Sequence, residues 1–183
     1  MSTIAAGFFA RYRYPDWLRR HSLAVGRIAT RIALAQQARG AAVDVRAAAL
    51  GAYLHDIGKS PLLSSDRRAH ETLGPLVLAA EGLSALAELS RRHPVYAPRD
   101  PATRPRTLEE KIVYYADRRA GQEVVSLEAR IDEQLVRFPQ LAATRAADLE
   151  SAKRIEAELF AGLPFGPADL ADLADLADLA DLR

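Results

Sequence analysis

Four histidines and a few aspartates are the residues of this chain best suited to hold a metal ion. The histidines are His21, His55, His70 and His93, and Asp56 directly follows His55 in HDIGK. A histidine–aspartate pair at the end of an apolar run is costly unless a hydrogen bond or an ion satisfies it. Imidazole and carboxylate together suit a borderline divalent ion such as Mn, Fe, Co, Ni or Zn. The chain has no cysteine, so thiolate metal sites and disulfides are excluded. The chemistry open to such a set is hydrolysis, because a divalent ion lowers the pKa of bound water from about 16 towards roughly 7.

These residues must be brought together by helices. Ala, Leu, Arg and Glu dominate, and runs of alternating β-branched residues are missing, which predicts an all-α fold, a compact single-domain helical bundle. Asp16, after Pro15, reads as the N-cap of a helix whose apolar face holds Leu18, Val25, Ile28, Ala29, Ile32 and Ala33 and which stops at Gly40. Asp44 caps a second helix carrying Leu50 and Leu54 and ending near Gly58, where glycine lets the chain turn away. Further helices are expected at about 68–80, 83–92 and 141–160. Thr107 with Glu110 forms a capping box, and Ser126 caps SLEARIDEQLVRF. The proline-rich YAPRDPATRPR reads as an exposed loop, either a connector or a lid in which Arg104 and Arg106 meet an anion.

The ordered set His21, His55–Asp56 and Asp117 resembles the metal ligands of the HD phosphohydrolase superfamily, H…HD…D on separate helices. HDIGK at 55–59 resembles the HDIG subgroup, and His70 with Gly74 resembles the H-x-x-x-G of its two-metal members. SRRHP at 90–94 falls where those members place a further histidine. The resemblance covers roughly residues 21–117 and uses every histidine of the chain. It implies an HD-type helical domain over 1–165 and a site for one or two divalent transition-metal ions. One ion would be held by His21, His55, Asp56 and Asp117, and a second by Asp56, His70 and His93, with Asp56 as the bridge.

The implied activity is cleavage of a phosphoester or phosphoanhydride in a nucleotide-like substrate. Positive groups must then meet the developing charge. Lys59, three residues beyond Asp56, is the first candidate for catalysis and phosphate contact; Arg92 and Arg118, next to His93 and Asp117, are expected to bind substrate, and Arg20 is a weaker candidate. Glu71 could orient His70, although an exposed role is the plainer reading; one of Tyr114 and Tyr115 could stack on a base while the other joins the core.

The relatives separate on small features. RRHPVYAP carries one histidine and no Gly-Tyr-Pro signature, unlike the HD-GYP cyclic-dinucleotide phosphodiesterases. HDIGKSPLLSSDRR has no Glu–Asp pair, unlike the guanosine-tetraphosphate hydrolases. The layout is most similar to the compact dinucleoside tetraphosphate hydrolases, although Pro94 and Val95 replace their usual residues after the histidine. A dinucleoside polyphosphate is thus one expected substrate, and a non-catalytic nucleotide-binding regulatory module is the alternative reading.

The net charge of +1 over 183 residues offers no bulk attraction to nucleic acid or membrane. The N-terminus, interrupted by Arg11 and Arg13, does not read as a secretory signal, so a cytoplasmic protein, in unknown or homodimeric state, is expected. The stretch 166–183 repeats Ala-Asp-Leu and is acidic, leaving a modest positive surplus elsewhere. On an α-helix leucines three apart wind around the axis, so this tail is expected to fray.

Overall fold

The computed structural model describes residues 3–121 and 123–175. Eight α-helices occur among them: α1 (Thr3–Arg11), α2 (Asp16–Ala38), α3 (Val45–Leu54), α4 (His70–Ala80), α5 (Ala87–Arg91), α6 (Leu108–Arg119), α7 (Leu127–Arg137) and α8 (Arg145–Phe160). The described residues contain no β-strand beyond a single bridge between Ala120 and Val124. The fold is all-α, as the composition predicts.

The long helix α2 is the spine. The six apolar residues assigned to its inner face are all buried, and α3 and α6 pack against it. Its start differs by one residue from the expectation: Pro15 occupies the cap position and Asp16 is the first helical residue, its carboxylate accepting from Arg19 at 3.2 Å. At its end Gly40 adopts φ +88°, a conformation that favours glycine. The other local signals act as their chemistry requires. Asp44 accepts from the Ala47 amide, Ser126 from the Ala129 amide, and Thr107 and Glu110 form a complete capping box.

The proline-rich stretch is a pinned connector. Arg92 donates to the carbonyls of Ala102 (3.1 Å) and Arg104 (2.9 Å), and Arg99 donates to the buried Asp148 of α8 at 2.6 Å. The tail also departs from the expected fraying in its described part. Residues Pro167–Asp175 form a 3-10 helix, and Leu170 is fully buried in the core. With three residues per turn, a period of three keeps equivalent positions on one face; the α-helical winding expected from the repeat does not apply there. The rest of the repeat lies outside the described residues.

Candidate metal centre

All four histidines and both aspartates converge. His21 comes from the second turn of α2, His55 follows the last residue of α3, and Asp56 lies one residue beyond it. His70 is the first residue of α4, His93 lies just past α5, and Asp117 is in the last turn of α6. Glycine permits the crossing. A Cβ on Gly58 would overlap the His70 carbonyl, and one on Gly74 would press on Ser90 Oγ. Gly58 therefore serves close backbone approach rather than the freedom to turn expected of it; its φ is not positive. Ser90 adds a strut, donating to the His55 carbonyl at 2.7 Å.

The two oxygens of Asp56 face different partners. Oδ2 lies 3.4 Å from His55 Nε2 and 3.6 Å from His21 Nε2. Oδ1 lies 3.4 Å from both His70 Nε2 and His93 Nε2, which are themselves 3.2 Å apart. Asp117 Oδ1 joins the first group, 3.1 Å from His21 and 3.8 Å from His55. Ligands bound about 2.1 Å from one ion stand roughly 3.0–3.4 Å apart; most of these spacings fall in that range, and those of Asp56 to His21 and Asp117 to His55 are a few tenths of an ångström longer. The triads His21–His55–Asp56, His55–His93–Asp117 and Asp56–His70–His93 each bring three donor atoms within 4.8 Å of one another.

The hydrogen bonds around the imidazoles aim them inward. Nδ1 of His55 donates to the Ala52 carbonyl at 2.8 Å, and Nδ1 of His93 to the Ser90 carbonyl at 2.5 Å. His70 Nδ1 meets Glu71 Oε2 at 3.0 Å, and Glu71 also accepts from Tyr96 at 2.5 Å. Each contact holds the proton on Nδ1 and leaves the Nε2 lone pair towards the centre. Glu71 thus touches His70 directly and is not the plain exposed residue the sequence favoured; this hydrogen bond, ahead of the others, pulls its carboxyl down to about 2.

Two buried polar atoms at the centre, His55 Nε2 and Asp56 Oδ1, have no hydrogen-bond partner among the described residues. Buried polar groups left unpaired cost stability, and a cation between them would satisfy both. Electrostatics point the same way. Burial would raise Asp56 and Asp117, yet Lys59 and the imidazoles beside Asp56, and Arg118 beside Asp117, hold both carboxyls well below the usual range. Burial pushes His21 down and His93 down to about 4, keeping these imidazoles neutral, the form that ligates. His55 is moved up, because the neighbouring Asp56 outweighs its complete burial. The residues present fit a divalent metal.

The expected cations divide. Lys59 reaches the centre, donating to Asp56 Oδ2 at 2.7 Å. Arg118 lies beside it, donating to Asp117 Oδ2 and, at 3.1 Å, to Gln134 Oε1; it steadies Asp117 so that Oδ1 faces the histidines. Arg92 does not face the centre. Its guanidinium is spent on Glu88, Glu110 and the two loop carbonyls, so its expected substrate contact is corrected to a structural role. Neither tyrosine of α6 reaches the cleft: Tyr114 donates to the Val95 carbonyl and Tyr115 to Glu156, both from within the core. Arg106 donates back to Pro101 within its own loop.

The helix α7 was expected from the sequence, but its part in the cleft was not. Arg130, Glu133, Gln134 and Arg137 line the cleft beside the centre, with Arg130 3.8 Å from Asp117. Their spacing of three, four and seven is the signal that could have marked a polar face. Arg20, given little weight from sequence, also lies in the cleft.

The family model for the HD domain matches residues 18–121, which span all six candidate ligands. No curated protein and no solved structure matches the chain significantly.

Proposed function

The chain belongs to the HD-domain family, and from that premise we propose that it is a metal-dependent phosphohydrolase of the two-metal HDIG kind, acting on a nucleotide-like substrate. The observation that carries this reading is the position of Asp56: one oxygen faces His21 and His55, the other His70 and His93. In this reading His21, His55, Asp56 and Asp117 hold one divalent ion, and Asp56, His70 and His93 a second. When bound, such ions supply hydroxide at neutral pH and stabilise charge on phosphoryl oxygens.

The chain's own residues do the rest. Glu71 and the Ala52 and Ser90 carbonyls keep the imidazoles oriented. Arg118 fixes Asp117 through its second oxygen. Lys59 has its ammonium at the centre, where it can donate to a phosphoryl oxygen as negative charge builds. A dinucleoside polyphosphate is the substrate we favour. The alternative, a nucleotide-binding module without turnover, would be expected to have lost a ligand, and all six are in place.

Purified protein assayed with Mn against nucleoside mono-, di- and triphosphates, dinucleoside polyphosphates and cyclic dinucleotides is expected to release phosphate or nucleotide. Elemental analysis of the same preparation is expected to find up to two transition-metal ions per chain. Binding of nucleotides without cleavage of any of them would overturn the reading in favour of the regulatory module.

A further inference from the structure

Two cavities meet at the centre, and Lys59 and Arg130 line both. Their chemistry differs. One, of about 370 Å³, is mostly apolar, walled by Val95, Tyr96, Phe138 and Leu141, with Glu71 and Arg118 as charged groups of its own. The other, of about 330 Å³, has four cations, Arg20, Lys59, Arg130 and Arg137, against the carboxylates of Asp56 and Glu133, with Trp17 as its one large apolar residue. Trp17, Arg20 and His21 share a face of α2, being three and four residues apart, and Arg130, Glu133 and Arg137 share a face of α7 in the same way. Two helices therefore aim charge into one space.

The positive charge there is only partly used. Glu133 serves two partners, Arg130 at 2.6 Å and Arg137 at 3.6 Å. Lys59 is taken by Asp56. Arg20 makes no side-chain hydrogen bond or ion pair among the described residues. A phosphomonoester has one phosphoryl group and needs only the centre. A chain of phosphates carries charge on every phosphorus and needs cations beyond it, and guanidinium forks match phosphate oxygens in pairs.

We propose that the Arg20–Arg130–Arg137 chamber is a second anion subsite, and that the substrate is a linear phosphoanhydride chain that passes through the centre into it. This rests on the phosphohydrolase reading. One water adds across a P–O–P bond, the bridging oxygen leaves with one product, and a proton is released to solvent. The apolar cavity takes the organic end when the chain carries one. Arg20 and Arg137 determine specificity and take no part in the bond cleavage.

Trp17 is the chain's only tryptophan, so its emission reports on this chamber alone. Inorganic tripolyphosphate titrated into the full-length protein as purified is expected to change that emission saturably, at concentrations about tenfold below those needed for orthophosphate. Arg20→Gln and Arg137→Gln are each expected to weaken tripolyphosphate binding about tenfold, which is about 1.4 kcal/mol, with orthophosphate binding and thermal stability unchanged. Calorimetry with the same two probes gives a second readout. Equal affinity for both anions, unaltered binding by the variants, or calorimetric binding that leaves the emission unchanged would each overturn the subsite. A nucleoside triphosphate that binds more tightly than tripolyphosphate assigns the apolar cavity to the organic end; equal binding overturns that assignment. Tripolyphosphate binding without hydrolysis of any phosphate compound would sink the phosphohydrolase reading alone. Hydrolysis of p-nitrophenyl phosphate with no preference for tripolyphosphate would sink the subsite alone.

Discussion

On one side of Asp56, the side chains of His55, Asp117 and His21 are 0, 5 and 11 % exposed; on the other, His93 is 2 % exposed and His70 is 31 %. The first group comes from α2, α6 and the end of α3, elements packed on one another through the core. The second is set by the first residue of α4 and the residue after next beyond the short α5, both near the apolar cavity. The difference separates two demands on one site. The closed side is continuous with the hydrophobic core, so holding an ion there also holds the fold. The open side leaves His70 reachable, where an incoming group needs room, and a carboxylate, Glu71, rather than the backbone steadies its ring.

The largest effect is expected where the two sides join. Asp56→Ala removes an oxygen from each, so metal analysis should find both ions lost and hydrolysis should fall by more than the about 10–100-fold typical of a group behind a ligand. Retention of one full equivalent of metal would show that the two sides do not share this residue. A paired comparison comes next. His55→Ala should lose metal and also destabilise the core by roughly 2–3 kcal/mol, a drop of about 4–12 °C in Tm for a chain of this size. His70→Ala should lose activity with a Tm, compared without added metal, within about 2 °C of wild type, a small change typical of sites away from the core. Equal Tm shifts for the two variants would erase the distinction between closed and open sides.

Chelation sharpens the same contrast without mutation. On exposure to EDTA, the ion between His70 and His93 should leave first, read as a two-phase loss of metal over time; a single phase would count against it. Any ion that binds only the folded chain stabilises it, so Tm should fall as metal is removed. The smallest effect is expected from Glu71→Gln, which weakens the His70 contact. It should lower metal affinity on the open side about 10-fold or somewhat more, and leave the closed side unchanged in the same titration.

Much of the centre was legible because it depends on residue type and order. Every histidine of the chain lies in the cluster, and the chain has no cysteine to compete. The caps at Asp44, Thr107 and Ser126 were legible for a similar reason, since each acts within three residues of itself. The arginines were not. Arg92 and His93 lie just past the end of α5, where no helical period fixes their directions, so standing beside His93 told nothing about where Arg92 aims, and it aims at the proline-rich loop. Arg118 is also adjacent to a candidate ligand and does reach it. Only the packing of α6 against its neighbours distinguishes the two. The tail shows a different failure: the period of three was read correctly, but the helix type that gives it meaning was not.

The sequence by itself determined the all-helical class, the helix starts after Asp44, Thr107 and Ser126, and which six side chains could take a metal. The class and the caps follow from short-range chemistry, helix propensity and capping; the six side chains follow from the resemblance of their order to the HD pattern. Only the tertiary structure decided that Glu71 rather than Arg92 attends the centre, and that α7 brings Arg130 and Arg137 to face Arg20 across a cavity. A cavity belongs to no single segment. Its lining is set by how separate helices dock, and docking is governed by the buried faces of those helices, while the side chains that line the cleft are on the faces left over.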